Sequence, residues 1–189
     1  LRTIVDFPKP GIMFKDITPV LENPSLCRDL VEVLRDSASD LNIDAVVGIE
    51  SRGFLFGLPL ALELEVPFIP IRKKGKLPYK TVSYAYDLEY GSATIEMHQN
   101  TIQNNWNVLV HDDLLATGGT AKAAAELVKM EGGKIAGVSS ILAEMIGNGT
   151  QSISKEDFIE EVDFMGASVN ITGSGAFAGS LKRYFPRVL

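Results

Sequence analysis

The sequence predicts an α/β fold: a mostly parallel, doubly wound central sheet with helices on both faces and a small hood. Three observations predict it. Short apolar runs alternate with helical stretches over residues 44–144, the order that successive βαβ units produce. The segments DAVVGIE (44–50) and PFIPI (67–71) are apolar runs rather than alternations, as strands covered on both faces are, and WNVLVHDD (106–113) reads as a third buried strand. The length of 189 residues suits one domain, so a single unit over 1–189 is expected.

The elements follow in order. Residues 6–19, DFPKPGIMFKDITP, hold three prolines and a glycine, which predicts an ordered extended arm rather than a helix. Residues 1–21 are read as the hood. Asn23-Pro24-Ser25 then opens a helix in which Leu26, Leu30, Val33, Leu34 and Leu41 recur at helical spacing. The strand at 44–50 ends in Glu50-Ser51-Arg52-Gly53, and a helix over 54–64 leads to the strand at 67–71. Arg72, Lys73, Lys74, Lys76 and Lys80 come next. Over 81–98 the period changes: Val82, Tyr84, Tyr86, Leu88 and Tyr90 alternate with Thr81, Ser83, Ala85, Asp87 and Glu89, the mark of a half-exposed strand. Gly91-Ser92 can turn the chain there, and ATIEMH can return as the second arm of a hairpin. The strand at 106–113 passes through LLATGGT into an alanine-rich helix, 120–131, closed by Gly132-Gly133 with Lys129 in its last turn. KIAGVSSILAE, 134–144, supplies a fourth core strand. Residues 147–157 read as a polar loop, and the glycine-rich 162–180 as strand, loop or both.

Composition excludes several classes. Hydrophobic residues make up 46% and charged residues 22%, with seventeen glycines and nine prolines, figures that rule out disordered and collagen-like chains. Cys27, the single cysteine, cannot form an internal disulfide, so a reducing, cytoplasmic setting is expected rather than a secreted scaffold. The net charge of −6 is opposite to that of a dedicated nucleic-acid binder. No run approaches the roughly 18 apolar residues of a membrane span, and no apolar leader-like block precedes Pro8. Neither nucleic acid nor membrane is therefore expected as a partner.

The strongest local signal is Val108 to Thr120, VLVHDDLLATGGT. An apolar strand ends in two acids, and a short glycine loop opens a helix. Gly118 and Gly119 let backbone N–H groups converge, Thr117 and Thr120 add hydroxyls, and the helix N-terminus favours an anion. The loop can cradle a monophosphate, or be an ordinary strand–loop–helix junction. It lacks the Gly-Lys-Thr/Ser of a Walker A loop. Asp112 and Asp113 would repel a phosphate unless they serve ribose hydroxyls or a hydrated metal. Arg52, Arg72 and Lys76 follow strand ends, where exposed cations would face an incoming anion; Lys73 and Lys74 read as solvated. His111 alternates with Leu109 and reads as a core histidine, whereas His98 reads as surface. Tyr84, Tyr86 and Tyr90 read as a packing stripe. Two histidines and one cysteine argue against structural zinc.

VLVHDDLLATGGT resembles the phosphoribosyl-diphosphate (PRPP) motif of the type I phosphoribosyltransferases. Four further blocks, FPKPGIMFKDITPVL (7–21), GIESRGFLFG (48–57), IRKKGKLPY (71–79) and LEYG (88–91), are similar to, and in the order of, those of the family's adenine branch. The resemblance runs over about residues 6–144 and implies a type I phosphoribosyltransferase-like fold. It implies an enzyme that makes AMP and pyrophosphate from adenine and PRPP, with Mg²⁺ held mainly through PRPP or pyrophosphate, usually as a homodimer. On this likeness Ala116, Thr117, Gly118, Gly119 and Thr120 hold the 5′-phosphate, and Asp112 and Asp113 the ribose 2′- and 3′-hydroxyls. Ser51, Arg52, Arg72 and Lys76 meet the pyrophosphate end, with Arg52 and Lys76 also acting in catalysis. Glu89, in a mobile lid hairpin over 81–98, handles the proton at adenine N7. Met13, Phe14 and Lys15 contact the base. Departures from the pattern are Lys15 where Arg is common, His111 in place of an aliphatic residue, and Tyr79-Lys80 interrupting KLPG. Residues 147–189 match poorly. The alternatives are a phosphoribosyltransferase for another purine, or a non-catalytic sensor of PRPP or nucleotide.

Overall fold

The computed structural model describes residues 2–11, 13–88, 91–113 and 119–140. The readings made for 147–189 lie outside the described residues. Strands β1 (Arg2–Val5) and β2 (Met13–Asp16) pair antiparallel, with Arg2 opposite Asp16 and Val5 opposite Met13. The arm expected to run extended therefore doubles back on itself. Its reversal uses the residues that excluded a helix: Gly11 sits at φ 88° and donates its N–H to Asp6 Oδ1 at 2.7 Å. Asp16 accepts the Thr18 hydroxyl at 2.6 Å, the Thr18 N–H at 2.9 Å and the Arg2 guanidinium, which together hold its carboxyl at about 2. A single helical turn, α1 (Thr18–Leu21), also departs from the reading of 6–19 as non-helical. Pro19 lies in its first turn, where no intrahelical N–H is needed.

Helix α2 (Pro24–Ala38) starts where Asn23 predicts, its side chain accepting the N–H groups of Ser25 and Leu26 at 3.0 and 3.2 Å. The order is then β3 (Ala45–Ile49), α3 (Gly53–Glu63), β4 (Phe68–Lys73), β5 (Thr81–Leu88), β6 (Gly91–His98), β7 (Asn107–Asp112), α4 (Gly119–Met130) and β8 (Lys134–Ser140). Six strands form one sheet in the order β5-β6-β4-β3-β7-β8. The pairs β4–β3, β3–β7 and β7–β8 are parallel, while β6 is antiparallel to both β4 and β5. The hairpin read as a lid is thus rooted in the main sheet through β6. Its pairing runs to Leu88 opposite Gly91, so Gly91 and Ser92 are strand residues and not the turn expected there.

The strand period divides the sheet between two apolar layers. Ala45, Val47, Ile49, Val108 and Val110 pack with Ala121, Ala123, Ala124, Leu127 and Val128 of α4. Val46 and Leu109 point the other way, onto Leu30, Val31 and Leu34 of α2 and Phe56, Leu60 and Ala61 of α3. Helices on both faces are the predicted arrangement. No helix among the described residues is long and apolar enough to cross a membrane. Because β3 connects outward to β4 and β7 outward to β8, the direction of winding reverses between β3 and β7. The crevice beyond the carboxyl ends of such a pair is where open α/β sheets bind ligands.

Candidate functional site

That crevice is present as a cleft of about 370 Å³, with Glu50, Ser51, Arg52, Arg72, Tyr86, Asp112, Asp113 and Thr120 in its wall. Each comes from the end of an element. Ser51 and Arg52 lie between β3 and α3, Arg72 is the last residue but one of β4, and Asp112 closes β7. Thr120 stands in the first turn of α4. Gly53 makes the arrangement close: a Cβ there would lie 2.8 Å from the His111 carbonyl oxygen and 3.3 Å from Asp112 Cα. Only a residue without a side chain lets α3 begin against the acid-bearing end of β7.

The cations of the cleft are paired, which corrects the expectation that they stand open to an incoming anion. Arg52 Nε meets Asp113 Oδ2 at 2.9 Å, the Asp113 side chain being 5% exposed. Glu50 Oε1 accepts Arg72 Nη2 at 2.7 Å and Lys76 Nζ at 3.1 Å, and Oε2 accepts the Lys73 N–H at 3.1 Å. The Arg72 guanidinium, aided by these other donors, outweighs burial and holds the Glu50 carboxyl down at about 2. Arg72 Nη1 also donates to the Lys76 carbonyl at 3.0 Å. Glu50 is therefore an organiser of the cation cluster, a role that sequence reasoning missed. The signal was its place directly after an apolar strand, but its partners lie 22 and 26 residues away.

The two acids differ in state. Burial, and then the neighbouring Asp113 charge, push the Asp112 carboxyl up to about 7. Behind them β8 fastens the strand end: the Ser140 hydroxyl donates to the Asp113 carbonyl at 2.9 Å, and Ser139 Oγ lies 2.6 Å from His111 Nδ1. His111 is fully buried, as expected of a core histidine, and burial lowers its pKa to about 4. His98 is half-buried with Nε2 enclosed, not the surface residue expected. Tyr86 packs against the core, as read, and its hydroxyl also lies 3.0 Å from Thr120 Oγ1.

Of the site residues that the sequence points to, Ser51, Arg52, Arg72, Asp112, Asp113 and Thr120 share the cleft wall. Lys76 joins them through Glu50, and Gly119 is the first residue of α4. Phe14 reaches the site from the arm, its ring centroid 5.8 Å from the Arg52 guanidinium carbon. Met13 and Lys15 are backbone neighbours of Phe14 on β2, opposite Val5 and Thr3. Glu89, Ala116, Thr117 and Gly118 lie outside the described residues. Lys73 and Lys74 are exposed, as read.

The chain matches the phosphoribosyl transferase domain over residues 17–169. It is 54% identical over 142 residues to the adenine phosphoribosyltransferase of Cytophaga hutchinsonii, covering 75% of this chain and 78% of that one. The crystal structure of the Thermoanaerobacter pseudethanolicus adenine phosphoribosyltransferase superposes with a TM-score of 0.70 at 47% identity, over 72% of this chain and 80% of that chain. The Saccharomyces cerevisiae enzyme, solved with an imino-altritol bisphosphate and adenine, has a TM-score of 0.69 at 37% identity, over 74% and 93%. With its cleft at the β3–β7 switch point and these relatives, the chain belongs to the phosphoribosyltransferase family, among the adenine phosphoribosyltransferases.

Proposed function

We propose that this chain transfers the 5-phosphoribosyl group of PRPP to adenine, forming AMP and releasing pyrophosphate, in purine salvage. The observation that carries the reading is the set of groups gathered at one cleft: Thr120 in the first turn of α4, the carboxyl pair Asp112 and Asp113, and the cations Arg52 and Arg72, with Lys76 joined to them through Glu50. A sugar that carries a phosphate, hydroxyls and a diphosphate complements that set. Asp112 and Asp113 accept hydrogen bonds from the ribose hydroxyls, and residues 116–120 cradle the 5′-phosphate. Ser51, Arg52, Arg72 and Lys76 take the diphosphate, whose negative charge grows as the bond to C1′ breaks. Glu89 holds the proton at adenine N7, and Met13, Phe14 and Lys15 wall the base. The protein's contribution is orientation, neutralisation of the leaving group and exclusion of water from an oxocarbenium-like centre. The hairpin over 81–98 serves as the lid.

Mg²⁺ fits this donor set. Magnesium favours one or two carboxylates together with substrate phosphates and water, and the cleft offers hard oxygen donors in Asp112 and Asp113. When bound, the ion neutralises the diphosphate; the carboxyl pair would hold it through its water shell and the ribose. A homodimer and a cytoplasmic setting complete the reading. The first is supported by an exposed apolar stripe on α3, Leu55, Leu58 and Leu62, the second by the lone Cys27.

The test is a panel of PRPP with adenine, hypoxanthine, guanine and xanthine, each supplied separately with Mg²⁺ and the products resolved by chromatography. AMP from adenine alone is the expected result. A different nucleotide in its place would assign another purine, and tight PRPP binding with no turnover of any base would assign a sensor.

A further inference from the structure

Glu96 lies outside the cleft wall, yet its residue is only 4% exposed. Its Oε1 accepts three consecutive backbone N–H groups, those of Gly75, Lys76 and Leu77, at 2.9, 3.1 and 3.1 Å. Oε2 lies 3.4 Å from the Thr81 hydroxyl. A carboxylate so buried is costly unless hydrogen-bond donors replace its water, and here the donors are the backbone of a single loop. That loop joins β4, which ends at Lys73, to β5 and carries Lys74 and Lys76 on either side of Gly75, which sits at φ 84°. Like charges and a turn glycine give such a segment many arrangements unless something collects its backbone.

We propose that Glu96 is a positioning residue for the diphosphate end of PRPP, acting through the loop at 75–77 on Lys76 and Arg72. The inference rests on the phosphoribosyl-transfer reading above. Lys76 is the point of convergence. Glu96 holds its N–H, Arg72 donates to its carbonyl at 3.0 Å, and Glu50 receives its ammonium at 3.1 Å. Glu96 also stands directly opposite Arg72 in the β4–β6 ladder, so one residue of β6 sets both the cation-bearing strand and the cation-bearing loop. A diphosphate arriving between Arg72 and Lys76 then meets donors whose ordering was completed during folding, and pre-ordered donors bind more tightly than mobile ones. Since β6 belongs to the hairpin, the same carboxylate ties the proposed lid to the diphosphate loop.

The experiment compares Glu96→Ala, Glu96→Gln and Glu96→Asp with the wild-type chain by steady-state kinetics and by calorimetric titration of magnesium pyrophosphate and of AMP. Loss of a charge-assisted hydrogen-bond centre predicts that Glu96→Ala raises the PRPP KM and the pyrophosphate Kd by about tenfold. Both kcat and AMP affinity should stay within about twofold, because AMP carries no diphosphate. Glu96→Gln retains the Oε1 acceptor and should restore most of the PRPP KM. If Glu96→Ala does not fold, Glu96→Asp decides: it keeps the charge but draws the acceptor away from the three N–H groups, and should still raise the PRPP KM. Unchanged pyrophosphate affinity in the folded variants, or an equal loss of AMP affinity, overturns the positioning role. A wild-type chain that binds neither PRPP nor pyrophosphate overturns the transfer reading itself, and the inference with it.

Discussion

Asp112 and Asp113 are neighbours in sequence, but their surroundings set them apart. Asp113 is paired with Arg52, whereas Asp112 is buried beside the Asp113 charge and its carboxyl is pushed up to about 7. A raised carboxyl is neutral below its pKa, so in the ribose-binding role proposed for it Asp112 becomes a full acceptor only as pH rises through about 7. The kcat/KM for PRPP should therefore climb with pH to that point and then level off. Asp113→Asn removes the neighbouring charge and should move this limb to lower pH. It should also lower kcat/KM roughly 10–150-fold, from the roughly 1.5–3 kcal/mol of a charge-assisted hydrogen bond. A folded Asp113→Asn enzyme with wild-type kinetics and an unmoved limb would remove the residue from the site. The stability signs oppose one another. Asp112 keeps a proton that the unfolded chain releases above about 3.8, so its contribution falls as pH rises from there toward 7. The lowered Glu50 contributes fully above about 4.5 and loses that contribution as pH falls toward 2. Much of this was legible residue by residue, because Asp112, Asp113, Arg52 and Thr120 each stand at a change of pattern. Glu50 and Glu96 were not, since a carboxylate in isolation carries no sign of which loop it will collect.

Among the elements, α3 shows most directly how packing positions chemistry. Its first residue, Gly53, meets the His111 carbonyl and Asp112 Cα at distances that leave no room for a side chain. Both of these neighbours are backbone, which cannot swing aside as a flexible side chain can. Gly53→Ala should separate α3 from β7, at a cost of about 1–3 kcal/mol for forced overpacking. Because Arg52 and Asp112 lie at that junction, PRPP affinity should fall as well. Urea denaturation and PRPP titration read the two effects; a Gly53→Ala protein unchanged in both would mean that the junction relaxes freely. Element types were largely legible, since the apolar runs and helical spacings at 24–38, 45–49 and 107–112 reappear as α2, β3 and β7. The structure departs from the sequence expectation at glycines and prolines. Gly91, expected in a turn, begins β6, while Pro8, Pro10 and Gly11 reverse the arm instead of extending it. Both residue types break helices, but what replaces the helix depends on the strand available to pair.

For the whole molecule, the two faces of the sheet are covered by helices, and one of those helices is apolar on its outer side too. Leu55, Leu58 and Leu62 of α3 are 44%, 47% and 69% exposed at helical spacing, beyond the apolar residues that already face the core. A contiguous stripe of this kind marks an association surface, and a second copy of the chain is its proposed occupant. Leu58→Glu should halve the molar mass measured by light scattering; a wild-type monomer, or an unaffected dimer in the variant, would contradict this use of α3. The amino-acid order by itself determined the fold class, the sequence of strands and helices from α2 to β8 and the acid pair before the glycine loop. Those are properties of local period and of neighbours along the chain, and short-range sterics and burial decide them. Only the tertiary structure decided that Arg72 and Lys76 converge on Glu50, that Gly75, Lys76 and Leu77 converge on Glu96, and that the hairpin continues the sheet through β6. These partners are about twenty or more residues apart, and they meet because strand order and register bring them together, a choice made by the energy of the whole sheet rather than by any segment of it.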